Sequence, residues 1–152
     1  MKTLVVYDSV YGNTEKIAKP IGCAIAGDVK TIHVREADFF LLESVDLLII
    51  GSPTQGGRAT LAIQNFLDGI PEPALRNMRV ATFDTRLPTR LVGIFGYATD
   101  KIADILKVKG GTLVVPPEGF IVKGREGPLK EGEEQRAAEW AKVIIAACRG
   151  KS

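Results

Sequence analysis

The chain is poor in the side chains that most often hold metals or staple folds: two cysteines and one histidine in 152 residues. Cys23 and Cys148 both fall in segments of helical spacing, which predicts two reduced core thiols in place of a disulfide framework or metal site. No metal chemistry is expected. His33 stands near a predicted strand end with no Cys, Asp or Glu at ligand spacing, so it is assigned none either. No run approaches the about 18 consecutive apolar residues of a membrane span, and the first residues lack the basic region and long apolar stretch of a signal peptide. A cytoplasmic protein without membrane contact is expected. No dense Lys/Arg cluster interleaved with aromatics occurs, so nucleic acid is not an expected partner. There is no internal repeat.

What the chain does have is apolar mass: 45% of residues are hydrophobic and 25% charged, a composition and length suited to one globular domain over 1–152 with a sizeable core. The net charge of +2 is uneven. Residues 1–76 carry 7 Lys+Arg against 9 Asp+Glu, and residues 77–152 carry 13 against 9, so the second half is mildly basic.

Apolar runs alternate with helix-spaced segments. Residues 3–8, 29–34, 45–50, 79–84 and 112–115, resuming at 119–122, read as strands. Several are almost continuously apolar, as strands buried on both faces are. Helical spacing covers 13–26, 60–69, 98–109 and 131–148, with a shorter turn near 37–43. The alternation predicts an α/β three-layer sandwich around a doubly wound parallel sheet. In the last helix Ala137, Trp140, Ala141, Ile144, Ile145 and Cys148 recur at intervals of three and four and form an apolar stripe, which makes Trp140 a core anchor. Pro20 falls inside the first helix, where it removes an N–H and crowds the carbonyl of residue 16, so a kink or break is expected there. The Gly- and Pro-containing stretch 116–132 reads as a loop interrupting the last strand.

In such sheets ligands bind where loops leave the carboxyl ends of the strands. The first of these loops is Ser9-Val-Tyr-Gly-Asn-Thr14. Ser9, Tyr11 and Thr14 offer hydroxyls, Gly12 allows close backbone approach, and Asn13 suits a helix N-cap. The N–H groups that open the following helix have no intrahelical partners and lie at the positive end of its dipole, so the loop forms an anion cup fit for a phosphate. A Walker A reading fails, because the only Gly-Lys-Ser is 150–152 and Ile145 stands where its first glycine belongs. A dinucleotide fingerprint fails as well, since 9–14 holds one glycine. A receiver-domain reading fails because the third strand ends in Gly51 and Ser52 instead of an acid beside Asp8. A capped turn that binds nothing is the remaining alternative.

Ser9-Val-Tyr-Gly-Asn-Thr14 after a first strand resembles the phosphate loop of the flavodoxin family, Thr/Ser-x-Thr/Tyr-Gly-Asn-Thr, which holds the phosphate of flavin mononucleotide (FMN). The likeness continues in Gly51-Ser-Pro-Thr-Gln-Gly-Gly57 after the third strand, and the length resembles the short-chain class. Phe83-Asp-Thr-Arg86, Pro116-Pro-Glu-Gly-Phe and Glu126-Gly-Pro-Leu look more like a subgroup of unsettled role than like a well-studied flavodoxin. The resemblance implies a five-stranded sheet of order 2-1-3-4-5, FMN as cofactor, redox partner proteins and an electron-transfer role.

It also implies a division of labour among the loops. Ser9, Val10, Tyr11, Gly12, Asn13 and Thr14 take the phosphate. Pro53, Thr54, Gln55, Gly56 and Gly57 meet the isoalloxazine ring, and the two glycines tolerate the peptide reorientation that flavodoxins use on reduction. Asp84, Thr85 and Arg86 meet the pyrimidine edge and ribityl chain, through main-chain N–H groups above all. Two departures stand out. Flavodoxin-like sequences often carry an aromatic at the position of Gln55 and another in the third loop, where this chain reads Thr-Arg-Leu-Pro; Tyr97 or Phe95 are the candidates to substitute, and Tyr11 is a candidate for the dimethylbenzene edge. Arg86 and Arg90 bring positive charge to the third loop; either their field favours reduced, anionic flavin and raises the second reduction potential, or both point to solvent and only keep the loop soluble. The readings carried forward are an FMN electron carrier or small FMN oxidoreductase with no catalytic acid or nucleophile of its own, a flavodoxin-fold binding or regulatory module with weak or lost FMN binding, and a quinone-type reductase.

Overall fold

The computed structural model describes residues 1–88 and 96–150. Among the described residues there are six strands, β1 (Lys2–Tyr7), β2 (Asp28–His33), β3 (Leu47–Pro53), β4 (Arg79–Arg86), β5 (Thr112–Leu113) and β6 (Glu118–Ile121), and four α-helices, α1 (Asn13–Ala24), α2 (Leu61–Gly69), α3 (Ala98–Val108) and α4 (Glu133–Arg149). All pairings between these strands are parallel, in the order β2-β1-β3-β4-β5. The fifth position is filled in two pieces: β5 pairs with Arg79 and Val80 at the start of β4, and β6 with Phe83 to Arg86 at its end. Between them stand Pro116 and Pro117, which have no N–H to give to a ladder. The interruption read from the sequence therefore lies in the middle of one strand position.

Alternation along the strands sends side chains to two cores. Leu4, Val6, Leu48, Ile50 and Val80 pack against Ile63, Phe66 and Leu67 of α2 and Ala98, Ile102 and Leu106 of α3. Val5, Tyr7, Leu47, Ile49, Ala81 and Phe83 face Ile17, Ala18 and Ile21 of α1 and Ala137, Trp140, Ala141 and Ile144 of α4. Each large side chain so buried contributes about 1.5–3 kcal/mol. Trp140 is the expected anchor: its ring meets Phe83 and Phe120 edge-on, each at 6.0 Å between centroids.

The elements depart from the sequence reading in several places. Cys148 is buried, but Cys23 is exposed and is no core thiol. The first helix does not break at Pro20, since α1 is continuous over 13–24; Lys16 is exposed and Pro20 only half-buried, so water can take the place of the lost N–H. Two short 3₁₀ turns, Val34–Glu36 and Phe39–Leu42, replace the single turn near 37–43. Finally, β3 and β4 run past the expected ends at 50 and 84. Gly51 makes the first extension possible, because a Cβ there would lie 2.0 Å from the Phe83 ring. The second follows from pairing on both sides, with Ser52 and Pro53 opposite Asp84 and Thr85, and Gly119 to Ile121 opposite Asp84 to Arg86.

Candidate functional site

The carboxyl ends of β1, β3, β4 and β6 converge on a cleft of about 380 Å³, within the about 300–1,000 Å³ usual for small-molecule sites. On one side is the loop from β1 to α1. Asp8 ends the strand with its N–H donating to the Gly51 carbonyl at 3.1 Å. Its carboxylate accepts the Ser9 N–H at 2.8 Å and lies 3.0 Å from His33 Nε2, so His33, given no role from the sequence, braces the loop from outside. The Ser9 hydroxyl accepts from the N–H groups of Gly12 (3.1 Å) and Glu15 (3.3 Å). Gly12, at φ 93°, is the N-cap of α1.

That last point corrects the expected N-cap at Asn13, which is instead the first helical residue. Left-handed backbone at the cap favours glycine, and a Cβ on Gly12 would meet nothing within 4 Å, so conformation and not protein packing calls for glycine there. Asn13 turns its amide away, Nδ2 donating to the Glu126 carbonyl at 3.2 Å. Thr14 is buried, its hydroxyl 2.8 Å from that of Thr85. The backbone N–H groups of Asn13 and Thr14 are different: both residues line the cleft, and neither N–H meets an acceptor among the described residues. Nearby, burial and then the hydrogen bond to Glu15 push the Tyr7 phenol up to about 12, which keeps it neutral.

On the opposite side, Gln55 and Arg58 exchange backbone hydrogen bonds of 2.8 and 3.0 Å. Between them Gly56 and Gly57 have φ of 56° and 78°, the left-handed pair of a type I′ turn. Gly56 lines the cleft with Pro53, Thr54 and Gln55. Gly57 is buried outside the lining, its carbonyl accepting from Lys101 Nζ. The Thr54 hydroxyl donates to Asp84 Oδ2 and accepts the Ala98 N–H, each at 3.0 Å.

Asp84, Thr85 and Arg86 belong to β4 and not to a loop. Asp84 is fully buried and outside the cleft lining, which corrects its assignment to a ligand edge. Its carboxylate accepts from Arg86 Nε at 2.8 Å and the Thr99 N–H at 3.1 Å, joining β4 to the start of α3, where the dipole favours a negative charge. Burial pushes this carboxyl up, while Arg86 and the Thr99 and Thr54 donors pull it back. Thr85 and Arg86 do line the cleft. The Arg86 guanidinium lies 3.5 Å from the Tyr97 ring centroid, and a Cβ on Gly119 would strike it at 2.3 Å. Tyr97 is thus occupied by Arg86, and Arg86 by Asp84, so the positive field expected of this arginine is that of a closed ion pair. Arg90, Leu91 and Phe95 lie outside the described residues.

Ten of the fourteen residues singled out from the sequence line one cleft; Ser9 and Gly12 lie outside the lining and hold the loop and helix start in shape, and Gly57 and Asp84 also lie outside it. Three lining residues were missed: Leu87, Val122 and Arg125. The signal for the last two was present. In a doubly wound sheet every loop after a strand's carboxyl end belongs to the same edge, and 122–132 follows the last strand.

An uncharged loop at a helix start, with two further loops at the switch point of a 2-1-3-4-5 sheet, defines a doubly wound α/β protein with its ligand cleft at the C-terminal edge. Comparison with known proteins is specific. Residues 5–140 match the family model described as Flavodoxin. Flavodoxin 1 of Escherichia coli strain K12 is 30% identical over 129 residues, covering 82% of this chain and 73% of that protein. Among solved structures, a flavodoxin from the domain Archaea aligns over all of both chains with a TM-score of 0.81 and 24% identity. Oxidised Flavodoxin 1 from Bacillus cereus aligns over 96% of this chain and 98% of its own, with a TM-score of 0.76 and 17% identity. The chain belongs to the flavodoxin family. It is an FMN-binding, electron-transfer flavodoxin-like protein, in a family that passes electrons to redox partners.

Proposed function

We propose that the chain acts as a single flavodoxin-like domain that holds FMN in the described cleft and exchanges electrons with partner proteins. The observation that carries the assignment of the cleft is the pair of unmatched N–H groups on Asn13 and Thr14. Both residues line the cleft, and the first N–H groups of a helix have no intrahelical acceptor. A phosphate oxygen at the helix start supplies that acceptor and gains from the dipole.

In this reading Ser9 keeps the loop in shape by accepting from Gly12 and Glu15, leaving the next two N–H groups to the phosphate. Thr14 and Thr85 tie the phosphate end to β4. The ring lies towards Pro53 to Gly56 and Leu87, with Tyr11 as the aromatic side chain that lines the cleft among the described residues. Tyr11 is 44% exposed, so ring contact there also removes apolar surface from water. FMN, when bound, supplies the redox chemistry; the protein positions it and sets the polarity around it. Among the described residues no helix is long and apolar enough to cross a membrane, and we propose action in the cytoplasm.

The test is the visible spectrum of the purified protein and its titration with FMN and riboflavin, followed by flavin fluorescence. Flavin absorption bands, or quenching of FMN at micromolar protein, are expected. Absence of both leaves a binding module that has lost its flavin.

A further inference from the structure

The loop Ser9-Val-Tyr-Gly-Asn-Thr14 offers N–H groups and hydroxyls and no cation. Arg125 changes that arithmetic. It lies between β6 and α4 in a hairpin closed by the antiparallel bridge of Val122 with Leu129 and by backbone hydrogen bonds from Lys123 to Pro128 (2.8 Å) and from Gly127 to Gly124 (3.0 Å). The tip is fixed to the first turn of α1. The Glu126 carbonyl accepts from Asn13 Nδ2 at 3.2 Å, and Gly127 is packed so closely that a Cβ would lie 2.8 Å from Asn13 Oδ1.

Arg125 thus lines the same cleft as Asn13 and Thr14, one residue from a contact with Asn13. It makes no hydrogen bond or ion pair with another described residue. The second arginine of the cleft, Arg86, is closed onto Asp84, and no carboxylate lines the cleft. Arg125 is therefore the uncompensated charge of the site among the described residues, and it sits at the end where two N–H groups wait for an acceptor.

We infer that Arg125 is a specificity-determining residue that grips the ligand's phosphate as a dianion, so that this protein distinguishes FMN from riboflavin by charge as well as by N–H donors. The inference rests on the FMN reading above. A guanidinium suits the task because its planar donors match two phosphate oxygens at once. Its exposure on the hairpin makes the interaction sensitive to salt.

The experiment measures dissociation constants for FMN and riboflavin by fluorescence quenching, at low and high ionic strength, for the wild type, Arg125→Gln and Arg125→Lys. Hydrogen bonds to charged groups correspond to losses of about 10- to 100-fold. FMN affinity is expected to fall by about that factor in Arg125→Gln, with riboflavin affinity unchanged and a weaker salt dependence; Arg125→Lys retains part of the affinity. Thermal melts of the three proteins check that folding is equal. Equal FMN affinity in wild type and Arg125→Gln overturns this inference alone, as does an equal loss for FMN and riboflavin. A wild type that binds neither flavin overturns the FMN reading and this inference with it.

Discussion

The Thr14 and Thr85 hydroxyls lie 2.8 Å apart, both residues almost wholly buried, and this one contact locks the first turn of α1 onto the end of β4. It explains why the helix-start end of the cleft keeps its shape without a charged side chain in the loop itself. Each hydroxyl is the other's partner, so removing one strands the other.

Thr14→Val and Thr85→Val are each expected to lower unfolding free energy by about 1–2 kcal/mol, because a buried hydroxyl is left unsatisfied. The double variant is expected to cost less than the sum of the singles, since both partners leave together. Urea melts of the four proteins measure the coupling; strict additivity means that the two hydroxyls do not depend on each other.

Asp84 and Arg86 form a second coupled pair, and here the consequence is redox. Asp84 is fully buried and Arg86 18% exposed at the side chain. Asp84→Asn frees a positive charge beside the cleft, whereas Arg86→Ala leaves a buried carboxyl that burial already pushes up and that takes up a proton in place of its partner. With FMN bound, the first is expected to raise the midpoint potential by about 30 mV or more, equivalent to about 0.7 kcal/mol for one electron, and the second to leave it close to the wild-type value. The double variant, neutral like the wild-type pair, is expected to return close to the wild-type potential. Stability falls in both singles by about 2–3 kcal/mol, somewhat under the about 3–5 kcal/mol of a fully buried pair because Arg86 keeps contact with water. Potentiometric titration of all four proteins checks this. Equal potentials throughout mean that the pair lies too far from the ring to matter.

Why does the sequence not show that Asp84 is Arg86's buried partner? The strand order and the phosphate loop were legible because they rest on local signals: apolar runs of strand length, and hydroxyls with a glycine before a helix-spaced segment. Asp84 carries no such signal. Its burial follows from β4 being paired on both sides up to Arg86, with Thr99 and Thr54 reaching it from other elements, and long-range pairing of that kind leaves no mark within four residues of an aspartate. The segment carrying Arg125 is legible as part of the same sheet edge, but its placement against the start of α1 is not. Its hairpin is closed by contacts within 122–129 but is positioned by Asn13, 113 residues away from its partner Glu126.

Glu133, the first residue of α4, connects that helix to β6. Its carboxylate accepts the Ile121 N–H at 2.7 Å and pairs with Arg136 at 2.8 Å, the glutamate side chain being 8% exposed. The bond from Arg136, with the Ile121 N–H, holds its carboxyl below the usual 4.5. A lowered folded value means stabilisation that is present above the unfolded value and disappears as pH falls through the folded one. Glu133→Gln is therefore expected to lower stability by about 1–2 kcal/mol at neutral pH, with the gap to wild type closing below about pH 4. Denaturant midpoints of the two proteins between pH 7 and pH 3 test it; a gap constant over that range means that the carboxylate's charge contributes nothing.

The turn Gln55-Gly56-Gly57-Arg58 gives the last prediction. Its two hydrogen bonds and two positive φ values identify the type I′ form. Rotating the Gly56–Gly57 peptide produces the II′ form, in which the first central residue leaves the αL region for one open almost only to glycine. Alanine at position 56 tolerates the present form, because φ is 56° and its Cβ would meet nothing within 4 Å, at a cost of about 1–2 kcal/mol. It disfavours the rotated form by more. If reduction of the bound flavin requires that rotation, Gly56→Ala is expected to make reduction harder and lower the midpoint potential, each about 1.4 kcal/mol of extra strain appearing as about 59 mV for one electron. Oxidised FMN affinity changes far less. A potential equal to wild type, with the stability loss present, means that the turn keeps its I′ form throughout the redox cycle and that Gly56 serves the cleft by its backbone shape alone.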